Sequence, residues 1–201
     1  MTDTEPEYGD PVVRVLHTAA LGAADRAAVR ALLEEVFEGD FGDHDWDHTL
    51  GGVHALVLEG GGAPEGGRGR DGRVAGRLVA HGSLVQRRLL HGGRALRTGY
   101  VEGVGVRADR RGLGYGAAVL AALEEAVRGA YELGALSSSE EALGFYAARG
   151  WLRWQGPTLA LTPGGVVRTG EDDGGVFVLP VAARVDLTGE LVCDWRDGDL
   201  W

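Results

Sequence analysis

The chain has 201 residues and a formal net charge of −10, enough for one domain with its own core and a poor match for nucleic acid. Its single cysteine, Cys193, excludes an internal disulfide and fits a reducing compartment such as the cytoplasm. No apolar run reaches membrane-spanning length, and the acidic, polar start from Met1 to Asp10 is unlike a signal peptide, so the expected partner is a polycation rather than a membrane.

Residues 1–10 have the composition of a disordered start, and 11–201 are read as a single domain. Val12 to His17 alternates as a strand, and Ala23 to Val36 puts Val29, Leu32, Leu33 and Val36 on one helical face. Glu38 to His48 reads as an acidic loop. It is either a solvated run or, with Phe41 and Trp46 as walls, a lip that collects a cation. Val53 to Glu59 is a second strand. Gly60 to Arg73, rich in glycine, is expected to be a mobile hairpin connection. Val74 to Leu90 gives a third strand, bent or bulged near Gly82, and Ala95 to Val106 a fourth.

That fourth strand leads into the most informative stretch, Gly99 to Gly116. Its strand half carries one acid, Glu102. A charged turn with Arg107, Arg110 and Arg111 follows, then Gly112, Gly114 and Gly116. Beyond these, Leu120, Leu123, Val127 and Tyr131 have helical spacing. Bare amides at a helix start bind anions, and an arginine lip favours a phosphate or pyrophosphate. A P-loop needs a lysine after the glycines, and the chain has none. Gly112, Gly114 and Ala117 also satisfy a dinucleotide-binding spacing with Glu132 downstream, but no alternating βαβ units follow. Arg111-x-x-Gly114-x-Gly116 after a Val-x-Val strand fits better: it resembles the pyrophosphate-binding motif of the GNAT N-acetyltransferases.

Ala135 to Ser137 starts a short strand. Ser138-x-x-Glu141 reads as a capping box opening a helix through Arg149, stopped by Gly150. Trp151 to Leu161 and Val176 to Val181 read as the last strands, with the acidic turn Glu171-Asp172-Asp173 between them. The tail runs Cys193-Asp194-Trp195-Arg196-Asp197-Gly198-Asp199-Leu200-Trp201. A tyrosine shortly before Gly150-Trp151 on a helix after the fifth strand is a second feature similar to the GNAT fold. A closer resemblance lies in Glu38 to Phe41, Asp45 to Gly52, Gly99 to Val104, Gly134 to Ser139, Gly150 to Leu152 and Cys193 to Arg196. These resemble the aminoglycoside 2′-N-acetyltransferases across nearly all of Val12 to Trp201, with departures at Gly60 to Arg73 and in the glycine richness of 112–116.

The resemblance implies an α/β (α+β) GNAT fold: a mixed, mostly antiparallel sheet, splayed between the fourth and fifth strands and flanked by helices. It implies a homodimer, acetyl-CoA as the acetyl donor and a cationic aminoglycoside as acceptor. Val104, Gly105 and Val106 would pair with the pantetheine arm, and Arg111, Gly112, Leu113, Gly114, Tyr115 and Gly116 would hold the pyrophosphate. Asp40, Ser137, Asp172, Asp199 and the Trp201 carboxylate would line the acceptor pocket, joined by Glu102, Gly103 and Glu171. From Glu171 to Trp201 the chain has eight acids against only Arg184 and Arg196, which suits a polyammonium ligand.

For the chemistry, an ammonium must lose a proton before it attacks a thioester, and Glu102 is the candidate base, acting through a water by resemblance. Tyr146 is the candidate proton donor to the expelled coenzyme A thiolate. The amide of Gly103 or Val104 would polarise the thioester carbonyl. A bulge at Gly103 would help the strands splay. The competing readings are a half-buried structural Glu102 and a core Tyr146. The histidines show no grouping with Cys193, and His44 and His48 would share a face only if helical, so no metal is expected. Two other functions stay open: transfer to another amine (polyamine, amino sugar or protein amine), and non-catalytic binding of acyl-coenzyme A or cationic drugs. Glu102 and Tyr146 together argue against a mere binder.

Overall fold

Burial alternates along the first strand, with Val12, Arg14 and Leu16 half-buried and Val13 and Val15 on the exposed side. In the computed structural model, which describes residues 11–60 and 76–201, β1 (Val12–His17) alternates half-buried and exposed positions, as an edge strand with one covered face should. Helix α1 (Ala23–Val36) buries Val29, Leu32 and Leu33 on one stripe. It ends where Glu38 and Gly39 turn to positive φ. Both the expected disordered start and all but Gly60 of the glycine-rich connection lie outside the described residues.

The remaining elements are α2 (Asp43–His48), β2 (Val53–Glu59), β3 (Arg77–His91), β4 (Arg94–Val106), α3 (Tyr115–Ala130) and β5 (Leu133–Ser137). They continue with α4 (Leu143–Ala148), β6 (Leu152–Arg153), β7 (Thr158–Thr162), β8 (Gly165–Arg168), β9 (Val176–Pro180) and β10 (Leu191–Cys193). The described residues fall into two compact units. The first takes the chain to Gly42, then 50–83 and 103–122; the second takes 43–49, 84–102 and 123–201. In the first, β1 pairs antiparallel with β2, from Val12 opposite Leu58 to His17 opposite Val53, and β2 pairs with β3. In the second the strand order is β6-β9-β5-β4-β3-β10-β7-β8. Among the described residues β4 with β5 and β10 with β7 run parallel, while β1 with β2, β10 with β3, β5 and β6 with β9, and β7 with β8 run antiparallel, so the sheet is mixed and mostly antiparallel.

The pairing of β4 with β5 covers Thr98, Gly99 and Tyr100 and then stops, although β4 goes on to Val106 and β5 to Ser137. This is the splay the resemblance implies. Gly103 has a φ of 54°, a left-handed backbone that breaks the run of extended residues. Before the splay, Gly99 and Gly134 are paired. A side chain on Gly134 would sit 3.1 Å from both Trp151 and Val127, so glycine there lets α3 and Trp151 lie close on the sheet.

Several boundaries differ from the sequence reading. The acidic run ends in a short helix, α2, rather than staying a loop throughout. The Ser138–Glu141 capping box does not form as read: the Ser138 hydroxyl donates to the Ser139 carbonyl, and a 3-10 turn (Glu140–Ala142) precedes the shorter α4. The single strand expected over Trp151–Leu161 is two, β6 beside β9 and β7 beside β10, with the chain crossing at Gln155 to Pro157. Strand β8 had no signal, since Gly165–Arg168 is exposed at all four positions. Helix α3 ends at Ala130, one residue short of Tyr131, and β3 passes Gly82 without interruption.

One buried acid ties α3 to the loop beyond α4. Glu124 accepts from Arg149 at 2.8 and 3.1 Å and from the Trp151 indole at 3.1 Å. Burial alone would raise its pKa; the hydrogen bonds from Arg149 and Trp151 outweigh that and hold it below the ordinary 4.5. A depressed folded-state pKa gives stability that is present above the unfolded value and lost as pH falls through the folded one. Glu124→Ala should therefore cost about 3 kcal/mol near neutrality, because it strands a buried indole N–H and a guanidinium. Urea unfolding of both proteins should show that gap closing in acid.

Candidate functional site

In the second unit the chemistry gathers around Tyr100, on β4 and 1% exposed. The Arg87 guanidinium, from β3, lies over its ring at 4.7 Å and that of Arg196 at 5.5 Å. Arg87 is buried because its donors are used: Nε to the Asp194 carboxylate at 2.7 Å, Nη2 to the Asp194 carbonyl at 2.9 Å and Nη1 to the Leu200 carbonyl at 2.8 Å. Three contacts from one side chain thus hold the C-terminal segment against β3. Arg196 donates to the Asp199 carbonyl at 2.6 Å and forms an ion pair with Glu102.

Glu102 is on the last part of β4 before Gly103, with its side chain 15% exposed. Burial pushes its pKa above the ordinary carboxylate value, while Arg196 pulls it back. The result is a carboxylate more basic than a surface acid with a cation beside it, which suits a general base. Neither Arg87 nor Arg196 stood out in the sequence. For Arg196 the signal was only that basic residues are scarce between Glu171 and Trp201; Arg87, in a stretch rich in arginine, had none.

Several acceptor candidates come together in the same unit. Trp201 is buried, and its indole donates to the Thr169 hydroxyl at 2.9 Å. Thr169 precedes the 3-10 turn Gly170–Asp172, which carries Glu171 and Asp172. Asp172 has its pKa raised by burial and by the negative charges of Glu171 and Asp199. Ser137 lies beside the same turn, with the next residue, Ser138, bonding the Gly175 carbonyl at 3.0 Å. So Ser137, Asp172, Asp199 and Trp201 converge, and Asp199 reaches Glu102 through Arg196.

Tyr146, on α4, is 7% exposed and packs on Phe145, Trp151 and Phe177. Burial moves its phenol up to about 12, so it keeps its proton at neutral pH. Among the described residues its hydroxyl makes no hydrogen bond. His44 and His48 do share the short helix α2, but His48 Nε2 is bonded to the Asp197 carbonyl at 2.7 Å.

The anion-binding candidates lie in the first unit. Gly112 and Gly114 have φ of 80° and 82°, which only glycine adopts without strain. The first helical bond of α3 runs from Ala118 to the Gly114 carbonyl, leaving the amides of Tyr115, Gly116 and Ala117 outside the ladder. A Cβ on Gly112 or Gly114 would meet nothing within 4 Å. Open amides on a 16-residue helix suit a pyrophosphate. The arginine lip is narrower than expected. Arg110 is held by Glu59 at 2.8 Å, and Arg107 pairs with Glu35 at 3.0 Å. That leaves the exposed Arg111 to face an anion. Tyr115 contributes its amide only, because its hydroxyl donates to Glu59 at 2.8 Å. Val104, Gly105 and Val106 end β4 in this unit after the left-handed Gly103, and the acceptor candidate Asp40 is exposed just after α1.

Residues 26–151 match the model of the acetyltransferase (GNAT) family. The chain is 50% identical over 192 residues to an aminoglycoside 2′-N-acetyltransferase of Mycolicibacterium fortuitum, covering 94% of this chain and 91% of that one. It is similar in fold to the GNAT family N-acetyltransferase YhbS of Escherichia coli in complex with CoA, with a TM-score of 0.58 and 15% identity over 96% of this chain and 93% of that one. Escherichia coli ElaA matches with a TM-score of 0.52 and 16% identity, over 84% of this chain and 99% of its own.

Arg87→Met should cost roughly 2 kcal/mol, since it unpairs the Leu200 carbonyl and a half-exposed Asp194 carboxylate. Limited proteolysis should then cut after Cys193 faster than in the wild type. Arg88→Met, at the exposed position next to it, should change neither.

Proposed function

The chain belongs to the acetyltransferase (GNAT) family, and on that footing we propose that it transfers the acetyl group of acetyl-CoA to the 2′-amino group of an aminoglycoside. The observation that carries the acceptor is the buried Glu102, ion-paired with Arg196 and followed outward by Asp199 and Asp172. A set of carboxylates around one basic carboxylate suits a polyammonium ligand of which one nitrogen must be deprotonated.

Acetyl-CoA supplies an activated thioester. The glycine turn 112–116, with the open amides of Tyr115, Gly116 and Ala117, and Arg111 would hold its pyrophosphate, and Val104 to Val106 would present strand edge to its arm. Glu102 takes the proton from the amine, directly or through one water. As it does so, an arriving ammonium competes with Arg196 for the same carboxylate. Tyr146 holds its proton at Oη and gives it to the departing sulfur, so one proton leaves nitrogen and another reaches sulfur. Ser137, Glu171, Asp172, Asp199 and Trp201 orient the acceptor. The reading includes a single catalytic domain over 11–201, a homodimer and a cytoplasmic setting. The last is supported by the lone, buried, free Cys193.

Steady-state transfer from acetyl-CoA to a panel of amines tests this reading. Turnover with aminoglycosides bearing a 2′-amine supports it; turnover only with polyamines or protein amines changes the acceptor; binding without turnover removes the enzyme. Arg196→Leu should move the acidic limb of the pH–rate profile up by about one to three units, because Glu102 loses the cation that lowers its pKa while the burial that raises it remains. A profile that only scales down places the base elsewhere. Tyr146→Phe should lower kcat about a hundredfold with coenzyme A affinity unaltered in calorimetry.

A further inference from the structure

Two fully buried histidines in the first unit have no part in the mechanism above. His54 on β2 and His81 on β3 are both 0% exposed. They sit in one line of contacts. The Gly51 amide meets Thr18 Oγ1 at 3.0 Å, Thr18 Oγ1 meets His54 Nε2 at 2.8 Å, His54 Nδ1 meets His81 Nε2 at 2.9 Å, and His81 Nδ1 meets the Gly103 carbonyl at 2.8 Å.

The direction of this chain follows from its ends. A carbonyl only accepts, so His81 Nδ1 must carry a proton. Burial and the neighbouring His54 drive His81 down to about 3, and burial with the His17 charge drives His54 down to about 4, so both rings are neutral near pH 7. A ring protonated at Nδ1 and neutral has a bare Nε2, which must accept from His54 Nδ1–H. His54 Nε2 is then bare and accepts the Thr18 hydroxyl proton, while Thr18 Oγ1 accepts from the Gly51 amide. The Gly52 carbonyl 3.2 Å from Thr18 Oγ1 does not need that hydroxyl, because the Thr18 amide already reaches it at 2.9 Å. Every donor and acceptor is satisfied in one orientation, and the opposite one sets a lone pair of His81 against the Gly103 oxygen.

Gly103 is the left-handed residue of β4, and its carbonyl is aimed at the histidine. A trans peptide points its C=O and N–H in opposite directions, so fixing the Gly103 oxygen also fixes the Val104 N–H, facing away from His81. We propose that His81, backed by His54 and Thr18, is a positioning residue for the reaction: it locks the Gly103–Val104 peptide so that the Val104 amide is presented to the thioester carbonyl. The inference rests on the acetyl-transfer reading and adds to it the group that preorganises its hydrogen-bond donor. A left-handed glycine has little conformational preference of its own, and a donor that must be aligned before charge develops cannot be left to swing.

Nitrogen-15 NMR of the imidazoles in the wild-type protein reads the tautomers directly, without substrate. Both His54 and His81 should be Nδ1–H with bare Nε2, the reverse of the form that a neutral histidine prefers in water. An Nε2–H His81 overturns the inference whatever amine the enzyme acetylates. His81→Leu removes the donor, and His81→Asn puts an amide nitrogen near where Nδ1 was. The leucine variant should lose kcat on the order of a hundredfold while coenzyme A affinity in calorimetry stays the same, and asparagine should restore most of it. Equal losses in the two variants, or undiminished kcat in the leucine variant, overturn it as well. Wild-type turnover with some other amine would alter the proposed acceptor and leave these comparisons intact.

Discussion

The C-terminal segment depends on one buried guanidinium. Arg87 is 5% exposed, and a charge taken that far from water is tolerable only when its donors are filled. Asp194 fills two of the contacts and the Leu200 carbonyl a third, with the Tyr100 ring beneath. Once these are made, the tail between them has little freedom. Arg196 lies over the same ring against Glu102, and Trp201 enters the core beside Thr169. A candidate base and the last residues of the chain are thus placed by the compensation of buried charge.

Anion and cation are met by different means. The pyrophosphate candidate is backbone: amides left open at the start of α3 by two left-handed glycines, with most nearby arginines already spent on Glu59 and Glu35. A site built this way depends little on side-chain identity, which suits a donor common to a whole family of enzymes. The cation candidate is made of carboxylates with unequal surroundings. Glu102 and Asp172 are raised by burial, whereas Asp173 is pulled down to about 2, chiefly by its bond with Arg168. A carboxylate raised by burial is suited to exchange a proton, whereas Asp173, engaged by Arg168 and Thr158, serves structure.

Much of this was legible in the sequence, and the limits are physical. Periodicity located α1 and β1 at their observed bounds, and the short, mostly apolar run Val53–Glu59 located β2, which is buried on both faces. Glycine spacing and the lone acid in β4 pointed to the anion turn and to Glu102. The Trp151–Leu161 run failed because its apolar residues serve two strands in different parts of the sheet, and periodicity is blind to a crossing. Strand β8 failed because an exposed edge strand has no buried face to leave a pattern. Arg87, Arg196 and the His54–His81 pair were missed for another reason: their partners are 94 to 113 residues away or on a neighbouring strand, and only the fold brings them together.

The most direct measurement of the central claim is the identity of the acetylated nitrogen. An aminoglycoside carrying several amines, incubated with the protein and acetyl-CoA, should give a single monoacetyl product whose two-dimensional NMR spectrum places the acetyl group on the 2′-nitrogen. Acetylation at a different amine, a mixture of positions, or unmodified drug would contradict the account.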